Sequence, residues 1–196
     1  MKKLGFDLVL LGDPTAGKDT QGAILQKHYA FKPVESGKHW RKMLKAKTAD
    51  GALLRKTAGL GHPTPVKLMK KFLVEHLRNA QKNKDLIFIG NPRLKPEAQL
   101  LVKLLKQKQR DFFVLYLKLP DKEIYKRSFA RVRTDKEGQL QYVKNRISWH
   151  KHQVSKTAKY FKSLQKLKFI NSMPPIPKVA AVIEKTLNDY QRSQGN

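Results

Sequence analysis

Cysteine is absent from this 196-residue sequence. Its absence excludes a disulfide framework, a thiolate metal site and a thiol nucleophile. Acidic residues are scarce: 15 Asp plus Glu stand against 42 Lys plus Arg, leaving a formal net charge of +27. Long apolar runs are missing as well. The longest, such as Leu8 to Leu11 and Phe112 to Leu117, are far too short to span a bilayer, so no membrane role is expected. Internal repeats, glycine–serine linkers and low-complexity tracts are lacking, which leaves one domain as the expectation. Met1 to Leu11 is charged and then apolar, but it has no small-residue cleavage site and runs into a glycine turn. It reads as a strand rather than a leader, and a cytoplasmic location is expected.

What is present is enough for a core: 40% of the residues are hydrophobic, so the charge does not imply disorder. The +27 excess predicts anionic partners, namely nucleotides, nucleic acid or an acidic surface, without choosing among them. Leu4 to Leu11, Leu86 to Ile89, Phe112 to Leu117 and Leu167 to Ile170 read as short buried strands. Helical patterns fall at 17–29, 36–48, 65–80, 96–108, 121–131 and 178–190, with another around 146–152. In the third, Val66, Met69, Phe72, Leu73, Leu77 and Ala80 recur at helical spacing, with Pro65 in the first turn. Buried strands alternating with amphipathic helices imply βαβ units and a parallel sheet covered on both faces.

The strongest local signal is Gly12-Asp13-Pro14-Thr15-Ala16-Gly17-Lys18-Asp19-Thr20. It has the G-x-x-x-x-G-K spacing between an expected strand and an expected helix. Glycines let consecutive amides turn inward on phosphate oxygens, the helix start adds partial positive charge, and Lys18 bridges the outer phosphates. Asp19 stands where Ser or Thr usually follows the lysine, and the hydroxyl arrives next, as Thr20.

Here the sequence resembles the adenylate kinase family of nucleoside monophosphate kinases, over nearly the whole chain. The resemblance is carried by the loop, by Ser36-Gly37-Lys38 with Arg41, by Gly61 with Thr64-Pro65, by Ile89-Gly90-Asn91-Pro92-Arg93, by Leu119-Pro120-Asp121, and by Arg127, Arg131 and Arg146 in order. It implies a three-layer α/β/α P-loop fold with a parallel sheet of about five strands. The implied core is 1–35, 84–130 and 137–196, with a small helical acceptor-nucleotide lobe at about 36–80. A minimal lid at about 131–136, represented by Arg133 and Asp135, leaves no room for zinc.

The implied reaction moves the γ-phosphoryl of ATP to a nucleoside monophosphate, most simply AMP, with Mg²⁺. Lys18, Arg93, Arg131, Arg133 and Arg146 would act on the transferring group. ATP would lie on residues 12–20, with Arg127 on its adenine and Arg131 on its phosphates. Ser36, Gly37, Arg41, Thr64, Gly90, Arg93 and Glu97 would hold the acceptor. Such a transfer needs positioned positive charge rather than a general base.

The family's magnesium-ordering Asp is Ile89 here, so Asp19, Thr20 or Asp13 would order the ion through water. Lys38 replaces an acceptor-pocket Asp. Glu97 falls where a Gln reads adenine; a carboxylate only accepts hydrogen bonds and would suit guanine. Alternatives are therefore a kinase for GMP, CMP or a deoxynucleotide, or a non-catalytic nucleotide-binding protein with a basic nucleic-acid surface. His150 and His152 read as solvated rather than as metal ligands. Lys156, Lys159, Lys162, Lys166 and Lys168, with Tyr160 and Phe161 among them, read as a solvated face capable of non-specific nucleic-acid contact. A monomer is expected.

Overall fold

A computed structural model describes residues 1–130 and 140–194. Five strands, β1 (Asp7–Gly12), β2 (Phe31–Glu35), β3 (Asp85–Ile89), β4 (Phe112–Lys118) and β5 (Leu167–Asn171), form one sheet. Their order is β2-β3-β1-β4-β5, and every pairing is parallel. Helices α1 (Lys18–His28), α2 (Ser36–Leu44), α3 (Ala49–Lys56), α4 (Val66–Arg78), α5 (Lys95–Gln107), α6 (Asp121–Ala130), α7 (Leu140–Ser163) and α8 (Ile176–Gln194) complete the described residues. None of these helices is long and apolar enough to cross a membrane.

β1 is buried at every position, as a central strand covered on both faces must be. One face carries Val9, Val34, Leu86, Phe88, Val114 and Tyr116 against α4, α5 and the C-terminal half of α7. The other carries Leu8, Leu10, Ile87, Ile89, Leu115 and Leu117 against α1, α6, α8 and the start of α7. That is the expected three-layer α/β/α arrangement. α7 changes layers along its length: Val143 and Ile147 belong to the second core, Val154, Ala158 and Phe161 to the first. With 24 residues it spans about 36 Å, and its middle crosses the C-terminal ends of the strands.

Two elements escaped the sequence reading. β2 contains Pro33 and alternates poorly, because it is an edge strand bonded only to β3, where a missing amide is tolerated. α3 is separate from α2 and starts at Thr48, whose Oγ1 accepts the Gly51 amide at 3.1 Å.

A buried ion pair fixes the base of the sheet. Asp7, 1% exposed, accepts Arg110 Nη2 at 2.5 Å and Nε at 2.7 Å, and the Leu86 amide at 2.7 Å. Replacing Arg110 by Met leaves that carboxylate buried without its cation. We expect a loss of about 3–5 kcal/mol in urea unfolding, and a clearly smaller loss when Asp7→Leu accompanies it.

Candidate active site

β1 ends at Gly12, where φ is +153° and a Cβ would lie 2.5 Å from the Leu117 carbonyl. Glycine alone lets the chain leave the sheet this close to β4. The Asp13 amide bonds that same carbonyl at 2.9 Å, and Ser172 Oγ, from the turn after β5, donates to the Ala16 carbonyl at 2.5 Å. The loop is thus held from β4 and from β5. Lys18, the first residue of α1, donates its ammonium to the carbonyls of Gly12 (2.9 Å) and Asp13 (2.6 Å). Burial, then the nearby Arg146 and Arg93, push its pKa down to about 7.

Beneath the loop lies a polar cluster. Asp13 accepts Tyr116 Oη at 2.6 Å and the Leu119 amide at 2.8 Å, and His150 Nε2 lies 3.4 Å from the same carboxylate. Burial works against this carboxylate, but hydrogen bonds from His150, Tyr116 and Leu119 outweigh it and hold its pKa below the usual range. His150, 8% exposed, corrects the solvated reading: α7 carries it inward onto the loop. Asp13, expected as a water-mediated metal partner, is likewise corrected, because its oxygens are engaged within the protein.

Burial is the first cause that lowers the His150 pKa to about 4, with Lys18 and Arg93 assisting and Asp13 opposing. The folded state therefore refuses a proton that the unfolded chain takes up below its ordinary value near 6.5. Stability should fall by about 3 kcal/mol as pH drops from about 6.5 to 4. Urea unfolding at pH 7 and pH 5 checks this, and His150→Gln should flatten the slope.

A cleft of about 1180 Å³ opens beside the loop. Of the expected donor-side residues, Thr15, Gly17, Lys18, Asp19, Thr20 and Arg127 line it. Of the acceptor set, Gly37, Arg41, Thr64, Gly90 and Arg93 line the same cleft, as does Arg146. Gly12 and Pro14 border a smaller recess with Lys18, Gly90, Arg93, Arg146 and His150. Ala16 and Ser36 are buried. Arg131, Arg133 and Asp135, with the expected lid 131–136, lie outside the described residues.

Glu97 is the clearest correction. It is 1% exposed, and its Oε2 accepts the amides of Arg93 (2.8 Å) and Leu94 (3.1 Å). The carboxylate caps the start of α5 instead of reading a base. Burial pushes its pKa up even against those two bonds. The cap also steadies Arg93, whose Nε donates to the Gly90 carbonyl at 2.8 Å and whose own carbonyl accepts Thr157 Oγ1 at 2.8 Å.

Sequence reasoning missed Trp149, Tyr142, Arg55, His62 and Ile176, all on the cleft wall. Only the layer change of α7 brings Tyr142 and Trp149 there, and no spacing announces it. Ile176 opens α8 between Pro175 and Pro177, and Gln21 Nε2 donates to its carbonyl at 3.1 Å. In the lysine stripe, Phe161 is fully buried and offers no stacking face, and Tyr160 is half-buried against the core.

Oxygen donors for a cation at the phosphate end are Asp19 and Thr20, both exposed in the first turn of α1. Glu35 also lines the cleft, but Lys38 Nζ pairs with it at 2.9 Å. Ile89 is apolar and packs against α1, where a Cβ on Gly22 would meet its Cδ1 at 2.5 Å. Among the described residues no cluster of three ligating side chains could hold a metal by itself. Asp19 and Thr20 do fit an ion that arrives on a nucleotide and keeps most of its water.

The family model described as adenylate kinase matches residues 10–166. A relative named adenylate kinase from Azobacteroides pseudotrichonymphae is 27% identical over 190 residues, covering 95% of this chain and all of the relative. A Parabacteroides distasonis protein of the same name is 27% identical over 189 residues, with 95% and 100% coverage. An adenylate kinase of Brucella abortus (strain S19) is 29% identical over 189 residues, covering 92% and 97%.

Proposed function

Because the chain belongs to the adenylate kinase family and is an ATP-dependent nucleoside monophosphate phosphotransferase, we propose that AMP is its acceptor and that residues 36–80 form the lobe that binds it. The observation that carries this reading is the convergence of Lys18, Arg93 and Arg146 around Gly90, between the phosphate loop and the acceptor side of one cleft. The names of the relatives support AMP. The capping of α5 by Glu97 withdraws the argument for guanine.

In this reading the donor triphosphate lies on the loop amides and the start of α1, where the helix dipole and Lys18 meet its charge. Its base rests between Arg127 and Ile176. Arg41 and Arg93 take the acceptor phosphate with planar paired donors, and Arg146 shares the charge that develops on the transferring group. The acceptor phosphate is itself the nucleophile, so the protein positions two anions in line and excludes water. Magnesium bound to ATP would supply charge neutralisation; Asp19 and Thr20 would hold its water. The lid at 131–136, with Arg131 and Arg133, would close over the donor.

The test is ADP formation from ATP with AMP, GMP, CMP, UMP and their deoxy forms, beside Lys18→Ala. We expect AMP to be used at least tenfold better than the others and the variant to be about a thousandfold slower. Equal background rates in both proteins would favour the non-catalytic alternative, for which Ile89 is the specific support.

A further inference from the structure

α7 presents Tyr142, Asn145, Arg146 and Trp149 along one side, at i, i+3, i+4 and i+7. That side meets the strap Ala58–Gly61, a single 3-10 turn ending in Gly61 with φ +84°. Asn145 Nδ2 donates to the Leu60 carbonyl at 3.0 Å, and Trp149 Nε1 donates to the Gly61 carbonyl at 2.5 Å. A Cβ on Gly61 would sit 2.6 Å from the Tyr142 carbonyl, so the strap lies as close to α7 as backbone allows. The same indole carries a second group: the Arg93 guanidinium stands over its ring, 5.9 Å from the centroid.

From this double contact we propose that Trp149 is a positioning residue that makes closure of the acceptor lobe and placement of Arg93 a single event. The inference rests on the kinase reading above. Its ring face favours the cation and its N–H favours the strap, and one rigid side chain fixes both partners. Arg93 Nε is held by the Gly90 carbonyl and its backbone carbonyl by Thr157, and the indole adds a contact on the guanidinium face. When the strap moves away, the indole loses its hydrogen bond and with it the orientation it gives Arg93. Acceptor binding and transition-state charge stabilisation are thereby coupled through one residue.

The two contacts separate by substitution. Trp149→Phe keeps an aromatic face for Arg93 and removes the donor to Gly61. It should raise KM for AMP five- to tenfold while kcat stays within about threefold. Trp149→Leu removes both contacts and should raise KM similarly and also lower kcat about tenfold or more. A structural role alone would move both variants together with stability, so urea midpoints accompany the kinetics.

Closure is read independently of turnover. The chain has no cysteine, so Leu53→Cys on α3 and Lys156→Cys on α7 supply a unique spin-label pair. With AMP and a non-hydrolysable ATP analogue, the otherwise unaltered pair should give one short distance. Both Trp149 variants should give a broadened, longer distribution. Unchanged distances in both variants, or a shared loss of kcat in Phe and Leu that follows stability, would overturn the proposal. Absence of turnover by the wild-type chain, with closure still dependent on Trp149, would instead overturn the kinase reading alone.

Discussion

Replacing Lys18 by alanine should lower kcat/KM for ATP by about a thousandfold with little effect on folding. Charge-stabilising donors in water-excluded sites are worth factors of about 10² to 10³ each, and this ammonium lies where the transferring charge develops. The variant also removes the hydrogen bonds that Lys18 makes across the loop to Gly12 and Asp13. The loop keeps its ties from Leu117, Ser172 and Tyr116, so the fold should survive.

A second measurement isolates the charge. With the Lys18 pKa pushed down to about 7 by burial, Arg146 and Arg93, much of the free protein holds a neutral amine above that pH. A triphosphate favours the ammonium, so binding takes up a proton. The ATP dissociation constant should rise by up to about tenfold per pH unit above pH 7. Calorimetry in buffers of different ionisation enthalpy reads the uptake directly, and Lys18→Met should abolish it. A wild-type affinity that is flat from pH 7 to 9 would refute the linkage.

Arg93→Lys should cost about a hundredfold or more in kcat, nearly as much as Arg93→Ala, although the charge is kept. The position depends on planarity. Nε is committed to the Gly90 carbonyl, and the flat guanidinium lies over Trp149. Lysine offers a point charge that cannot hold the carbonyl, cover the ring and present paired donors to a phosphate together. Steady-state rates with AMP as the varied substrate test this. A lysine variant within fivefold of wild type would show that charge alone suffices at this position.

The legible part of the site is the part whose chemistry is local. Residues 12–20 fix their own geometry through glycine and a helix start, so the phosphate loop and Lys18 could be read directly. Arg41, Arg93, Arg127 and Arg146 were found through a resemblance in their order, and all four line the cleft. Glu97 shows the limit of that method. Its position suggested base reading, but two amides at the start of α5 claim both the carboxylate and its direction. His150 shows the converse: a polar residue in a polar helix reads as solvated, yet α7 passes beneath the loop and buries it against Asp13.

By itself the sequence determined the layered α/β class, the position of the phosphate loop and the anionic nature of the ligand. Each of these follows from apolar periodicity, glycine backbone freedom or the +27 charge, and needs no knowledge of what lies opposite. Tertiary structure decided which groups face one another. The change of layers by α7 brings Trp149 to the strap and His150 to Asp13. The edge position of β2 admits Pro33, and the cap on α5 removes Glu97 from the cleft. The α7 and β2 contacts join segments tens of residues apart and are set by how the sheet and helices pack, so no local pattern encodes them. The Glu97 cap is local, and only the structure shows that it prevails over base reading.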